Sequence, residues 1–168
     1  MGQDFMIADT HFGTDSIRRY ENRPFESVQE MDEALIQNWN RVVSEGDTVY
    51  VLGDFSSYGK EENKALLKRL KGTKILIMGN HDMGYTPAEW REMGFLECSR
   101  WPILYEGFFL LSHEPLYING NMPYANIYGH VHNNPSYKDA SSQSVCVSVE
   151  RLQYCPESFE TIRAKMEG

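Results

Sequence analysis

Five short apolar runs divide the chain, and each stops at a polar residue. Phe5-Met6-Ile7-Ala8 leads to Asp9, Val49-Tyr50-Val51-Leu52-Gly53 to Asp54, and Ile75-Leu76-Ile77-Met78-Gly79 to Asn80. Phe108-Phe109-Leu110-Leu111-Ser112 leads to His113, and Ile127-Tyr128-Gly129 to His130. Short β-branched and aromatic runs bounded by glycine read as buried strands. Between the first three runs the apolar spacing changes to steps of three and four. Val28, Met31, Leu35, Trp39 and Val42 mark the buried stripe of a helix, opened by the capping-box pair Ser27 and Glu30 and finished before Gly46. A second helix is expected around 62–71, closed by Gly72, and a third over 87–93. Thr14 to Phe25 reads as a polar loop. From Phe95 the pattern changes. Stretches 95–101, 103–112, 125–131 and 144–152 are strand-like with no long helix between them. The polar stretch 133–144 reads as a mobile loop. Residues 158–166 read as a closing helix with Phe159, Ile162 and Met166 inward. A βαβαβ half followed by an antiparallel run predicts an α/β chain of the α+β kind, with two sheets packed face to face and helices outside, in one domain spanning 1–168.

The apolar runs also govern what the composition permits. Hydrophobic residues make up 41% of the chain, enough for a packed core and too many for a disordered segment. No run approaches the length of a membrane span. The first strand begins at Phe5, which leaves no room for a leader, so a cytoplasmic location is expected. Cys98, Cys146 and Cys155 are odd in number and lack a C-x-x-C spacing, so they read as reduced thiols. A net charge of −8 argues against an extended nucleic-acid surface. The one basic stretch, 64–74, shares its helical segment with Glu61 and Glu62 and reads as a solvated face.

The chemistry sits at the strand ends. The chain has five histidines, and all five lie in short motifs: Asp9-Thr10-His11, Asn80-His81-Asp82, Ser112-His113-Glu114 and Gly129-His130-Val131-His132. Gly53-Asp54 adds a lone carboxylate. Neutral imidazole and ionised carboxylate are the usual protein ligands of divalent transition metals. No packing requirement asks for every histidine of a protein to stand this way. Carboxyl ends of sheet strands are where α/β proteins gather their ligands. Gly53, Gly79 and Gly129 are expected to let the backbone turn sharply just before the ligand. Five strand ends can therefore converge on one small volume.

Taken in order, D-x-H, G-D, G-N-H-D, a lone H and G-H-x-H, running from Asp9 to His132, resemble the calcineurin-like metallophosphoesterase superfamily, in particular its small bacterial and phage members. The resemblance implies a four-layer αββα sandwich, two mixed sheets flanked by helices, with a two-metal site between the sheets. It implies that Asp9, His11 and His132 bind one metal, that Asn80, His113 and His130 bind the other, and that Asp54 bridges both. His81 is then not a ligand but faces the substrate phosphate, with Asp82 supporting it as the second catalytic residue. Asn80, His81 and Arg23 are the expected substrate contacts. Two divalent ions so held acidify a water and clamp phosphate oxygens for in-line displacement. A histidine can give a proton to the leaving group, and a carboxylate can fix its tautomer. Mixed oxygen and nitrogen ligation admits manganese, iron, cobalt, nickel or zinc, with manganese preferred. The activity implied is hydrolysis of a phosphodiester or phosphomonoester, on a small or nucleotide-like substrate. The alternative is a module of the same fold that binds and does not catalyse. A nuclease is disfavoured by charge and size.

Some positions depart from the resemblance or admit two readings. Thr14 stands where relatives often have a histidine, and Glu114 where an aromatic is common. Phe55-Ser56-Ser57 and the final Asp82 of G-N-H-D separate the chain from protein serine/threonine phosphatases. Asp82 reads equally as a turn residue. Arg18, Arg19 and Arg23 read as phosphate contacts or as a solvated loop. Tyr85, Tyr117 and Tyr124 read as ring-stacking groups or as tyrosines packed on the rim.

Overall fold

In the computed structural model, which describes residues 2–122, 124–137 and 140–167, the first half winds as the apolar spacing predicts. Strands β1 (Asp4–Ile7), β2 (Thr48–Val51) and β3 (Thr73–Ile77) alternate with helices α1 (Asp15–Tyr20), α2 (Val28–Val42) and α3 (Lys60–Arg69); α4 (Pro87–Met93) and β4 (Glu97–Ser99) follow. The sheet order is β10-β1-β2-β3-β4, with β10 (Glu157–Ser158) the only antiparallel member. The second sheet has the order β5-β6-β7-β9-β8, from β5 (Ile103–Tyr105), β6 (Phe109–Leu111), β7 (Ala125–Tyr128), β8 (Ala140–Ser141) and β9 (Ser144–Cys146). Helix α5 (Phe159–Glu167) closes the chain and buries Phe159, Ile162 and Met166 as expected. The result is a mixed α/β sandwich of two sheets with helices. One hydrophobic cluster runs from Phe5 to Met166, with Trp39, Trp90, Phe12 and Phe55 among its largest fully buried side chains.

The second half corrects the antiparallel expectation. β6, β7 and β9 are mutually parallel, and only the outer pairs are antiparallel. A parallel crossover normally announces itself by a helix, and the β6–β7 connection has none among the described residues. Its order comes from Asn126, fully buried, whose side chain donates to Leu110 O and Ser112 Oγ (2.9 Å each) and accepts from Leu116 N (2.8 Å). Stretch 95–101 contributes its strand to the first sheet instead, with Leu76 paired to Cys98. Stretch 103–112 is a hairpin, turned at Glu106 and Gly107 (φ 55° and 69°). Consecutive positive φ values are what a tight two-residue hairpin turn needs. Stretch 144–152 is β9 followed by a 3-10 turn at Val149–Arg151. Thr14 to Phe25 contains α1, whose Arg18 and Arg19 reach back to Asp15 at 2.7 and 2.9 Å; such i,i+3 and i,i+4 pairs support a short helix. Part of 133–144 pairs as β8, while Lys138 and Asp139 lie outside the described residues.

Parallel pairing in both sheets sets the carboxyl ends of β1, β2 and β3, and of β6, β7 and β9, each along one edge. The two edges are stitched where Ala8 N donates to Val147 O (2.9 Å) and Val149 N donates to Ala8 O (3.0 Å). Past the strand proper, β1 and β2 stay together through Asp9 N to Gly53 O and His11 N to Asp54 O (3.0 Å each). Asp82 closes the corner between β2 and β3. Its carboxylate accepts from Asp54 N (2.7 Å), Gly79 N (2.7 Å) and Phe55 N (3.0 Å). Each unsatisfied buried N–H costs about 1–3 kcal/mol. Asp82→Ala is therefore expected to lower unfolding free energy by about 3 kcal/mol or more, read as a drop in urea midpoint; a midpoint within error of the parent would show that the brace is unimportant.

Candidate metal centre

All seven residues expected to bind metal lie where the two stitched edges meet. Asp9, His11 and His132 each offer a donor atom within 4.8 Å of the others, and Asp54, His113 and His130 form a second such group. Asp54 Oδ2 stands between them, 3.5 Å from His11 Nε2 and 3.3 Å from His113 Nε2. Asn80 Oδ1 is 3.0 Å from His113 Nε2, so its amide oxygen joins the second group. The rings of His11 and His132 stack at 5.3 Å. His81 belongs to neither group. It is exposed at the rim, its ring edge-on to His11 at 5.2 Å, and its main-chain N–H donates to Asp54 Oδ1 (2.9 Å).

The backbone reaches this arrangement through an unusual conformation. Asp9, His11, Asp54, His130 and His132 have φ of 60°, 49°, 54°, 72° and 49°. Left-handed φ is several-fold enriched in Asp and His but still costs on the order of 1–3 kcal/mol per residue. Hydrogen bonds hold the turns in place: His11 N to Asp54 O, Asp54 N to Asp82 Oδ2, and His130 N to Asp9 Oδ2 (2.8 Å). The sharp turning expected of the glycines thus falls largely on the donors themselves. Gly53 does turn left-handed (φ 96°), but Gly79 and Gly129 serve by having no side chain. A Cβ at Gly79 would stand 2.4 Å from Asp54 Oδ1, and one at Gly129 would stand 2.4 Å from Ala8 Cβ and 2.8 Å from Asp9 Oδ2.

The donor atoms are prepared for a cation. Asp9 is fully buried; Oδ2 accepts from His130 N and from Ser148 Oγ (2.5 Å), whereas Oδ1 has no partner among the described residues. His11 Nε2 is likewise buried and unpartnered. Polar atoms left so are uncommon in folded proteins, and these two belong to the same donor group. Carboxylate, imidazole and amide donors together suit a divalent transition ion, so the residues present fit one. Electrostatics agree. Burial pushes the His11 imidazole down to about 3, against the pull of Asp54, which keeps its lone pair free. Burial raises Asp9, partly countered by His132 and His113. Burial also pushes Asp54 up, but the His113 hydrogen bond and the His113 and His11 charges outweigh it and hold Asp54 at about 2. For His113 burial pulls down, yet the Asp54 hydrogen bond and then the Asp9 and Asp54 charges raise it to about 9.

Other expected site residues stand elsewhere. Asp82 is braced on three amides, 1% exposed, and those contacts rather than the His81 ring occupy its carboxylate; the turn-residue reading describes its geometry. Arg23, expected to contact substrate, is turned inward onto protein groups. It is 4% exposed, with its guanidinium on Asp9 O (2.6 Å), Thr10 O (2.8 Å) and Glu150 Oε2 (2.8 Å). Arg18 and Arg19 are engaged with Asp15. Tyr85 packs edge-on against Trp90 at 5.4 Å; Tyr117 is exposed and Tyr124 half-buried. Thr14 precedes α1 without a side-chain cap, and Glu114 is exposed. Two residues that no motif marks touch the donors: Ser148, on Asp9, and Glu150, whose Oε2 lies 3.0 Å from His132 Nδ1. Their signal was the alternation of 144–152, which places Ser148 and Glu150 on the polar face opposite Val145, Val147 and Val149. Glu21, His132 and Glu150 form a third donor grouping; Arg23 meets Glu150 Oε2 there, and Glu150 Oε1 is buried without a hydrogen-bond partner among the described residues.

Comparison with known proteins places the chain in a family. A protein of Methanocaldococcus jannaschii described as uncharacterised is 37% identical over 174 residues, covering 96% of this chain and 90% of its own length. The gene 66 protein of Mycobacterium phage L5 is 34% identical over 85 residues, 49% of this chain and 41% of its own. The crystal structure of a protein of unknown function from Aquifex aeolicus superposes with a TM-score of 0.74 at 26% identity, covering 98% of this chain and 99% of that one. The family model for calcineurin-like phosphoesterases matches residues 5–154, the span that holds every donor described above, and the chain belongs to that family.

Proposed function

We propose that the chain is a divalent-metal-dependent hydrolase of phosphoesters, acting on a phosphodiester or monoester of a small or nucleotide-like compound. The observation that carries this reading is the convergence of seven donors in two groups, with the buried Asp9 Oδ1 and His11 Nε2 left unpartnered. Asp9, His11 and His132 would hold one ion, Asn80, His113 and His130 the other, and Asp54 both. Two ions bound there supply positive charge that polarises a phosphoryl oxygen and acidifies water near neutral pH. The chain's own residues do the rest. Asp54 Oδ2, set between two imidazoles, keeps both groups at a common distance. Asn80 adds an oxygen without adding charge. His81, at the rim and outside both groups, donates from its ring to a phosphoryl oxygen or passes its proton to the departing oxygen. The substrate is kept small by the overall charge of −8, which repels long polyanions. No helix among the described residues is long and apolar enough to cross a membrane, and three unpaired cysteines support a reducing, cytoplasmic setting.

A screen of purified protein against chromogenic mono- and diesters and a nucleotide panel, under several added metals, tests the reading. Metal binding without turnover on any ester would make the chain a binding module. Elemental analysis of protein grown with metal is expected to approach two ions per chain. Asp54→Asn should weaken both ions and His11→Ala mainly one. Mn²⁺ should support activity better than Mg²⁺, because imidazole-rich sites suit a softer ion than an all-oxygen magnesium shell; iron, cobalt, nickel and zinc are compatible with the same donors. Equal rates with Mg²⁺ would count against the ligand assignment.

His81→Ala should keep both ions and the fold while losing roughly 10²–10⁴-fold in turnover, the range of a positioned acid. The loss should be larger for alkyl than for nitrophenyl leaving groups, since nitrophenol departs without a proton. Near-normal turnover on an alkyl ester would remove the role, and loss of an ion would make His81 a ligand.

Ion binding should also release protons. His113 carries its proton up to about 9, and a ligand imidazole must give it up, so cation affinity should rise with pH below that value. Calorimetry in buffers of different ionisation enthalpy should report about one proton released near neutral pH; a buffer-independent heat would contradict it.

A further inference from the structure

The two donor groups differ in what stands behind them. In the second group, His113 Nδ1 meets the main-chain carbonyl of Leu52 at 2.8 Å. In the first, His132 Nδ1 meets a carboxylate, Glu150 Oε2, at 3.0 Å. The Glu150 side chain is 3% exposed and that of Arg23 0%. Arg23 Nε and its terminal nitrogen reach Glu150 Oε2 at 2.9 and 2.8 Å. The same guanidinium holds Asp9 O at 2.6 Å and Thr10 O at 2.8 Å. One buried ion pair thus ties the residues flanking His11, which leave the first sheet, to His132, which leaves the second.

We propose that Glu150 is the positioning residue of His132 and that Arg23 locks it, so that the Asp9, His11, His132 group is preformed and is the tighter of the two. The proposal rests on the metal-binding reading above. A carboxylate taking the Nδ1–H fixes the tautomer that leaves Nε2 free, and it raises the basicity of that nitrogen. His132 Nε2 lies 3.9 Å from Asp9 Oδ1, the unpartnered oxygen, so the freed lone pair faces the right side. Arg23 and His132 both meet Oε2 and hold that oxygen between them, while Glu150 Oε1 is buried without a hydrogen-bond partner among the described residues. The carbonyl behind His113 offers no comparable charge. Arg23 further removes the cost of a lone buried carboxylate in the metal-free chain. Its hold on two carbonyls keeps the left-handed turn at Asp9 and His11 from relaxing.

The test is calorimetric titration of metal-free protein with Mn²⁺, followed by Co²⁺ with the visible ligand-field spectrum as a direct report of ligation. The parent should bind in two resolved steps. Glu150→Gln, nearly isosteric, should weaken the tighter step by roughly 10–100-fold, the usual effect of removing a carboxylate behind a ligand histidine, and leave the weaker step in place. A merely structural role would move the melting temperature and neither step. A parent that binds no metal would sink the metal-binding reading. A parent with two ions whose Glu150→Gln form binds both unchanged would sink this proposal alone. Should that variant fail to fold, ¹⁵N shifts of the parent histidines decide. His132 with hydrogen on Nδ1 and a bare Nε2 supports the assignment, and the opposite tautomer overturns it.

Discussion

Two buried carboxylates held close together, Asp9 and Asp54, are the constraint to which the rest of the structure answers. Each is taken out of water, and the Asp54 charge raises the cost of ionising Asp9. Left alone, such a pair would take up protons or move apart. Here three kinds of neighbour oppose it. Imidazoles crowd Asp54 from both sides. Main-chain N–H groups point at the carboxylates from His81 and His130. The Ser148 hydroxyl donates to the same Asp9 oxygen, Oδ2, that His130 N–H reaches. Asp9 Oδ1 is left without a hydrogen-bond partner among the described residues, and it is an oxygen a cation can use.

That constraint accounts for the local backbone. To aim a side chain back toward its own strand end, a residue must turn left-handed. Asp and His tolerate this better than most residue types. The donors therefore also serve as turn residues, five of the nine non-glycine residues with positive φ that the structure describes. The glycines before them have been cleared of side chains so that Asp54, Asp9 and His113 can approach.

The donors were legible in the sequence because each stands at the end of an apolar run, where strand ends and ligands coincide. The first sheet was legible for the same reason: helices with a clear period separate its strands. The second sheet was not. Its parallel crossover runs through irregular chain ordered by one buried amide, Asn126, and a single asparagine leaves no periodic trace. Helix α1 escaped because its order comes from two arginines folding back on Asp15, not from an apolar stripe. Asp82 and Arg23 lay in motifs or loops that suggested substrate. Apart from the Glu150 carboxylate on Arg23, their chief partners are main-chain groups, and sequence spacing says nothing about where a backbone amide or carbonyl will point. Glu150 carried only the faint signal of strand alternation.

The stitch between the sheets has a consequence for how the molecule is made. Ser148 reaches Asp9 across 139 residues, and His130 reaches it across 121. Such contacts come late, since chain closure over that length must precede any reward. A nascent chain emerging from synthesis therefore holds Asp9 without these partners until residues 130 and 148 are available. The donor set at this edge is assembled with the closing of the fold rather than growing with it.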